Sequence, residues 1–224
     1  MCTVSIVGNG DGFRLVCNRD ERLSRPRAQP PAARRIGRRW AVSPIDPPSR
    51  GAWIGVNDAG LTAAILNRTI SSGIQRTAPI SRGVIVPTLL ACSALDEALA
   101  EVEAFDHRQF EPFRVVLVQW PFVAVVTSDD PERAPAPTAL SEPRMFTSSS
   151  LGDHVVHAPR QALFDDLVVA SDDRLDGQFR FHRHRWMQRL EISVLMRREH
   201  AGTVSRTTID VTGRGADVRY ERVC

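Results

Sequence analysis

The sequence predicts an α+β fold in which β-hairpins and helices segregate instead of alternating. Three observations predict it. Apolar runs recur in pairs around short strings of Gly, Asn, Asp or Pro, the pattern of antiparallel hairpins. Two stretches, 93–105 and 159–170, carry their apolar residues at helical spacing. No strand–helix–strand repeat joins them, which argues against a doubly wound parallel sheet. With 224 residues, 42% of them hydrophobic, the chain can bury a substantial core and is read as one domain over 1–224.

The opening ribbon organises the rest. Thr3–Val7 and Phe13–Cys17 flank the turn string Gly8-Asn9-Gly10-Asp11-Gly12. A turn centred between Gly10 and Asp11 sets Ile6 against Leu15, Val4 against Cys17 and Cys2 against Arg19. The hairpin therefore carries the second residue of the chain into the polar run Asn18-Arg19-Asp20-Glu21, and a slip of one residue keeps it there. Cys2 is small enough for methionine aminopeptidase to remove Met1. The product would hold a thiol and a free α-amine on one residue, and an α-amine of pKa about 7.7–8.0 can act as base for its own thiol. A nearby guanidinium favours the thiolate. The alternative is a strand that merely starts with Cys. The glycine string itself has GxGxG spacing before a β-like run, unlike the GxGxxG that opens a helix at a dinucleotide site.

Residues 24–50 hold six Pro among many Arg, which predicts a surface loop with nothing longer than a short strand near Trp40–Ser43. Trp53–Asn57 and Leu61–Leu66 form a second hairpin around Asp58-Ala59-Gly60, leaving Asn67 at a strand end, where site residues collect. Ser71–Pro79 reads as a loop. Ser81–Phe105 reads as a helical pair, with Pro87 a kink or a start and Ser93 the N-cap of a helix reaching about Ala104. Arg114–Gln119 and Phe122–Ser128 form a buried hairpin. Asp129–Pro143 is loop-like with a short strand at Thr138–Leu140, and Met145–Ser150 is a strand. A helix over Pro159–Ala170 and an irregular to helical stretch over Asp176–Arg189 follow. Strands at Ser193–Arg197, Thr203–Val211 and Ala216–Arg222 close the chain, the last two joined through Gly213-Arg214-Gly215, with Thr207–Ile209 opposite the later residues of the final strand.

His182 and His184 form a His-x-His pair without a third ligand nearby, so no metal is expected. Cys2, Cys17, Cys92 and Cys224 show no metal spacing, and Cys2 and Cys17 are not directly opposed, so no disulfide is expected. No charged and apolar leader and no run of 18 apolar residues is present, which predicts no membrane span and a cytoplasmic protein with reduced thiols. The net charge is only +3, and all 29 basic residues are Arg, suited to bidentate pairing with carboxylates or phosphates. Without aromatic interleaving or a helix–turn–helix pattern, no nucleic-acid partner is expected; a nonspecific Arg-rich interaction module is the residual reading. Nothing in the sequence sets an oligomeric state.

MCTVSIV, LVCNRDER with Arg25-Pro26, Gly51-Ala52-Trp53-Ile54-Gly55-Val56-Asn57-Asp58-Ala59-Gly60-Leu61 and Leu66-Asn67-Arg68 together resemble the NRDE family, also called the transport-and-Golgi-organisation family. Thr147–Leu151 and Val204–Thr208 extend the resemblance along the chain. The family is in turn similar to N-terminal-nucleophile hydrolases of the penicillin V acylase and bile salt hydrolase type, which share Met-Cys and a Gly-x-Asn-x-x-Gly-Leu stretch, matched here by Gly55–Leu61. The resemblance implies a four-layer αββα sandwich of two antiparallel sheets. It implies a cysteine hydrolase of non-peptide amides, with Cys2 as nucleophile, Arg19 and Asp20 orienting the amine and thiolate, and Asn18 and Asn67 stabilising the oxyanion. Trp53, Arg68 and Ser149 are expected to contact substrate. Ser149 stands where these hydrolases carry an oxyanion-holding Asn, a departure that sets the usual amidase chemistry in question. No cofactor is implied. The alternative is a non-catalytic carrier of haem or acyl-CoA on the same fold. In either case Arg22, Arg25 and Arg27 suggest a rim suited to a small anionic ligand.

Overall fold

The computed structural model describes residues 1–69, 80–129 and 136–223; the expected loop at 71–79, part of the one at 129–143, and Cys224 lie outside these. In chain order the described residues form β1 (Cys2–Asn9), β2 (Gly12–Arg22), β3 (Gln29–Ile36), β4 (Arg39–Ile45), β5 (Ile54–Asn57) and β6 (Thr62–Asn67). Helices α1 (Ile85–Leu89) and α2 (Leu95–Ala104) follow, then β7 (Phe113–Gln119), β8 (Phe122–Thr127), β9 (Thr138–Ala139) and β10 (Arg144–Thr147). Helices α3 (Asp153–Phe164) and α4 (Arg174–Arg183) precede the closing hairpin β11 (Ala201–Thr212) and β12 (Gly215–Arg222).

The strands make two antiparallel sheets, ordered β10-β1-β2-β11-β12 and β3-β4-β5-β6-β7-β8-β9. Strand alternation decides what each face of the first sheet carries. Val4, Ile6, Leu15 and Cys17 point inward and share one core with Ile54, Leu66 and Leu117 of the second sheet. The opposite face carries Val7 and Met145, which pack against Phe164, Val168 and Phe181 beneath α3 and α4. Ile85, Leu89, Leu99 and Val102 of α1 and α2 close the far side of the second sheet. The result is the αββα sandwich. Gly55 permits its tight second half: a Cβ there would lie 2.7 Å from Leu90 Cδ1 and 2.8 Å from Ser43 Cβ. Asn57 locks the β5–β6 turn, accepting from the Ala59 and Leu61 N–H groups and donating to the Leu90 and Cys92 carbonyls.

The β1–β2 register matches the expectation, with Cys2 opposite Arg19, Val4 opposite Cys17 and Ile6 opposite Leu15. Thr207–Ile209 likewise pair with Tyr220–Val218. Four expectations are corrected. Residues 29–45 form a hairpin, because β3 is an edge strand whose pairing is irregular at Pro30-Pro31, where missing N–H groups cost nothing. Ala94, not Ser93, caps α2, while the Ser93 N–H donates to Glu97 at 2.6 Å. Helix α3 starts at Asp153 and holds Pro159 in its interior, then runs into a π-helical turn at Asp165–Val169. Residues 193–197 form no strand; beyond a 3-10 turn at Leu190–Ile192 there is a single bridge, Arg197 to Gly202.

Candidate active site

Cys2 ends the ribbon at the wall of a cavity of about 350 Å³. Met1, Arg19, Trp53, Asn67 and Arg82 line it with Cys2. Met1 extends the strand pairing by one step: its amine donates to Asp20 O at 3.0 Å and its carbonyl accepts from Asp20 N at 2.8 Å. The Cys2 N–H donates to Ser148 Oγ at 3.1 Å, and Ser148 N returns a bond to the Cys2 carbonyl at 3.0 Å. Ser148 was not singled out by sequence. It follows the last residue of β10, an edge strand that pairs with β1 only in three dimensions.

Cys2 is buried, and so is its diagonal neighbour Cys17 on the same face. A hydrogen bond with the Cys17 thiol holds the Cys2 thiol below its ordinary value; burial opposes this, the N-terminal ammonium and Arg19 assist, and Asp20 counteracts. The Cys17 thiol is pushed well up by the same bond and by burial. The same bond thus sets the two thiols apart, lowering the one at the cavity wall and raising its neighbour.

Arg19 is held away from simple pairing with Cys2. Its guanidinium lies 4.2 Å from the Trp53 ring centroid, and its Nη2 donates to Asp46 Oδ1 at 2.7 Å. Asp46 also receives Arg25 through Nε and Nη2 and Ser49 through Oγ. Although burial works against the charged form, these donors keep the Asp46 carboxyl well below the usual range. Asp46 sits in the Pro-rich stretch, and no local pattern marks it.

Strand alternation sends Asn18 and Asp20 to the helix side of the sheet, away from the sulfur. Asn18 Nδ2 donates to the His182 and Val194 carbonyls at 2.9 and 3.0 Å. Both its amide hydrogens are thus committed to the end of α4 and the segment after it, and the side chain does not reach the Cys2 cavity where the oxyanion role was expected. Asp20 Oδ1 accepts from Thr203 Oγ1 at 2.6 Å, close to the buried Arg160. Burial raises the Asp20 carboxyl, with Arg160 and the Thr203 hydroxyl pulling the other way. Arg160, fully buried, donates to Thr3, Thr147 and the Ile192 and Ser193 carbonyls, and stitches α3 to β1 and β10.

Asn67 and Trp53 line the cavity, whereas Arg68 and Ser149 do not. Arg68 pairs with Asp129 at 3.0 Å. Ser149 accepts from Arg198 Nη2 at 2.9 Å, and its N–H donates to Asp153, so its side chain is spent on the loop before α3. His182 is buried with Nε2 2.7 Å from Ser5 Oγ, while His184 stacks edge-on with Trp186, so the His-x-His pair diverges. Among the described residues no three His, Cys, Asp or Glu side chains gather as a metal site. No helix of the described residues is long and apolar enough to cross a membrane.

This αββα architecture is the one that the resemblance to N-terminal-nucleophile hydrolases implies. The fold is similar to a Caenorhabditis elegans N-acylethanolamine-hydrolyzing acid amidase ortholog, with a TM-score of 0.61 at 11% identity over 93% of this chain and 92% of that one. It is also similar to variants of the conjugated bile acid hydrolase from Clostridium perfringens, at TM-scores of 0.54 and 0.52, identities of 11% and 9%, and coverage of 100% and 99% of this chain and 92% of each of those. No curated protein sequence matches the chain. The family model for Transport and Golgi organisation 2 matches residues 1–223, and the chain belongs to that family.

Proposed function

We propose that the chain is a cysteine amidohydrolase that cleaves the C–N bond of a small N-acylated molecule. The observation that carries this reading is Cys2 at the cavity wall, its backbone nitrogen on Ser148 and its thiol lowered by Cys17. Removal of Met1 turns that nitrogen into an α-amine held by Ser148 Oγ. It also vacates the Asp20 N–H and carbonyl that Met1 now occupies. The amine takes the Cys2 proton, and the thiolate attacks the substrate carbonyl carbon. Asn67 and the vacated Asp20 N–H stabilise the oxyanion. The protonated amine then delivers its proton to the leaving nitrogen as the C–N bond breaks. Water hydrolyses the thioester and regenerates the thiol. Asp20 and Arg19 act as positioning residues, through the ribbon and through Trp53 respectively, and Trp53 offers an apolar wall to the acyl part. Residues 1–224 work as one domain, in the reducing cytoplasmic setting expected from the scattered thiols.

Two findings support the substrate class. The structures of similar fold are named for hydrolysing N-acylethanolamines and conjugated bile acids. Arg19, Arg22, Arg25 and Arg82 line the cavity, which suits an anionic molecule such as an N-acyl amino acid. The test is turnover of an N-acyl amino acid panel by protein whose intact mass shows Met1 removed: Cys2→Ser is expected to abolish it. Turnover unaffected by Cys2→Ser, or by active protein that retains Met1, contradicts the mechanism.

One observation favours a second reading, a carrier of haem or acyl-CoA. Ser149, in the place of the oxyanion-holding Asn, does not line the Cys2 cavity, and its hydroxyl oxygen accepts from Arg198. A haem titration without a Soret shift, together with no heat on acyl-CoA addition, removes that reading.

A further inference from the structure

A second cavity of about 270 Å³ adjoins the Cys2 cavity, sharing Arg19, Glu21, Arg22 and Arg25 with it. Its remaining walls bring Arg27, Arg197 and Arg222 from three separate segments. Asp46 and Glu21 offset Arg19 and Arg25. Arg22, Arg27, Arg197 and Arg222 are exposed and have no carboxylate within ion-pair distance among the described residues. Four uncompensated guanidiniums around one cleft repel each other, and an anion there removes that repulsion while gaining charge-assisted hydrogen bonds.

The sheet register gives the cleft a defined place relative to the nucleophile. Cys2 pairs with Arg19, Arg19 with Ser205, and Ser205 with Arg222, so the four form one row across β1, β2, β11 and β12. Neighbouring strands lie about 4.8 Å apart, so Arg222 stands about 14 Å along the row from Cys2. Within the row the Ser205 hydroxyl is buried and has no hydrogen-bond partner, so a polar group without a partner lies between the two arginines that flank it.

We propose that this cleft is a subsite for a polyanionic group, a diphosphate or a di- or tricarboxylate, on the tail of a substrate whose amide reaches Cys2. Forked guanidiniums from separate segments can each grip two oxygens, so one group with at least two negative charges bridges them. The subsite's role in substrate selection rests on the Cys2 reading. Anion binding itself does not, and the experiment separates the two.

Full-length chain carrying Cys2→Ser is titrated calorimetrically with inorganic pyrophosphate, citrate and inorganic phosphate at fixed ionic strength. Saturable binding of pyrophosphate or citrate, at least about tenfold tighter than phosphate, is expected, with the tighter of the two identifying the phosphate or carboxylate source. Arg197→Ala combined with Arg222→Ala is expected to weaken it about tenfold or more, whereas Arg38→Ala combined with Arg214→Ala, at exposed turns elsewhere, leaves it unchanged. No saturable binding, or equal loss in both double variants, overturns the subsite. Binding without any turnover by the Cys2 protein leaves the subsite standing and removes the hydrolase.

Discussion

Arg19 faces Cys2 directly across the β1–β2 ribbon, yet its Nη2 donates to Asp46 Oδ1 at 2.7 Å. The guanidinium therefore supports the thiolate through space, while Asp46 holds it over Trp53 and tempers its charge. Asp46 is the hinge of this arrangement, because it binds Arg25 and Ser49 as well.

Asp46→Asn is expected to destabilise the fold by about 3 kcal/mol, because it leaves two guanidiniums without their buried carboxylate. Urea unfolding reads this as a lower midpoint at unchanged slope. The pH dependence has a definite sign. Asp46 is held below its unfolded value, so its stabilisation is present above the usual carboxylate range and is lost as pH falls through the folded value. Between about pH 5 and pH 3 the parent chain should lose more stability than Asp46→Asn. Equal losses would refute the role assigned to Asp46.

Cys17→Ala removes the hydrogen bond that contributes most to lowering the Cys2 thiol. The midpoint of Cys2 alkylation against pH should move upward, and turnover at neutral pH should fall with it. A midpoint that stays put assigns the thiol's acidity to Arg19 and the terminal ammonium instead.

Ser148→Ala takes away the acceptor of the Cys2 nitrogen. In the mature chain the amine would lose its orientation, and kcat is expected to drop about tenfold with stability changed by no more than about 1 kcal/mol. A change in KM alone would place Ser148 in substrate binding and not in positioning the base.

Gly55→Ala is expected to destabilise by about 1–3 kcal/mol, since the added methyl meets Leu90 and the β4 strand at under 3 Å. Thermal unfolding checks it. An unchanged midpoint would mean that α1 yields readily.

Local chemistry made part of this molecule legible. The Gly-Asn-Gly-Asp-Gly turn centres the first hairpin, and period-2 alternation then dictates that Cys2 meets Arg19. The same alternation sends Asn18 and Asp20 to the other face, a consequence the clustered Asn-Arg-Asp-Glu string conceals when read as one polar patch. Other features depend on pairings far apart in sequence. Pro30-Pro31 reads as a loop until β4 supplies a partner, Ser148 matters only because β10 docks on β1, and Arg160 becomes a tie because Thr3 and Thr147 converge on it. Ser149 could be flagged by resemblance, but its engagement by Arg198 depends on a loop nearly fifty residues away.

The most direct test of the account is the rate of iodoacetamide alkylation at each cysteine, mapped by peptide mass spectrometry on protein lacking Met1, as pH is raised from 5 to 10. Cys2 should react first, with a midpoint below that of an ordinary thiol, ahead of Cys17, Cys92 and Cys224. Cys2 reacting no faster than Cys92, whose thiol burial pushes up to about 11, would contradict a poised nucleophile at the end of the ribbon.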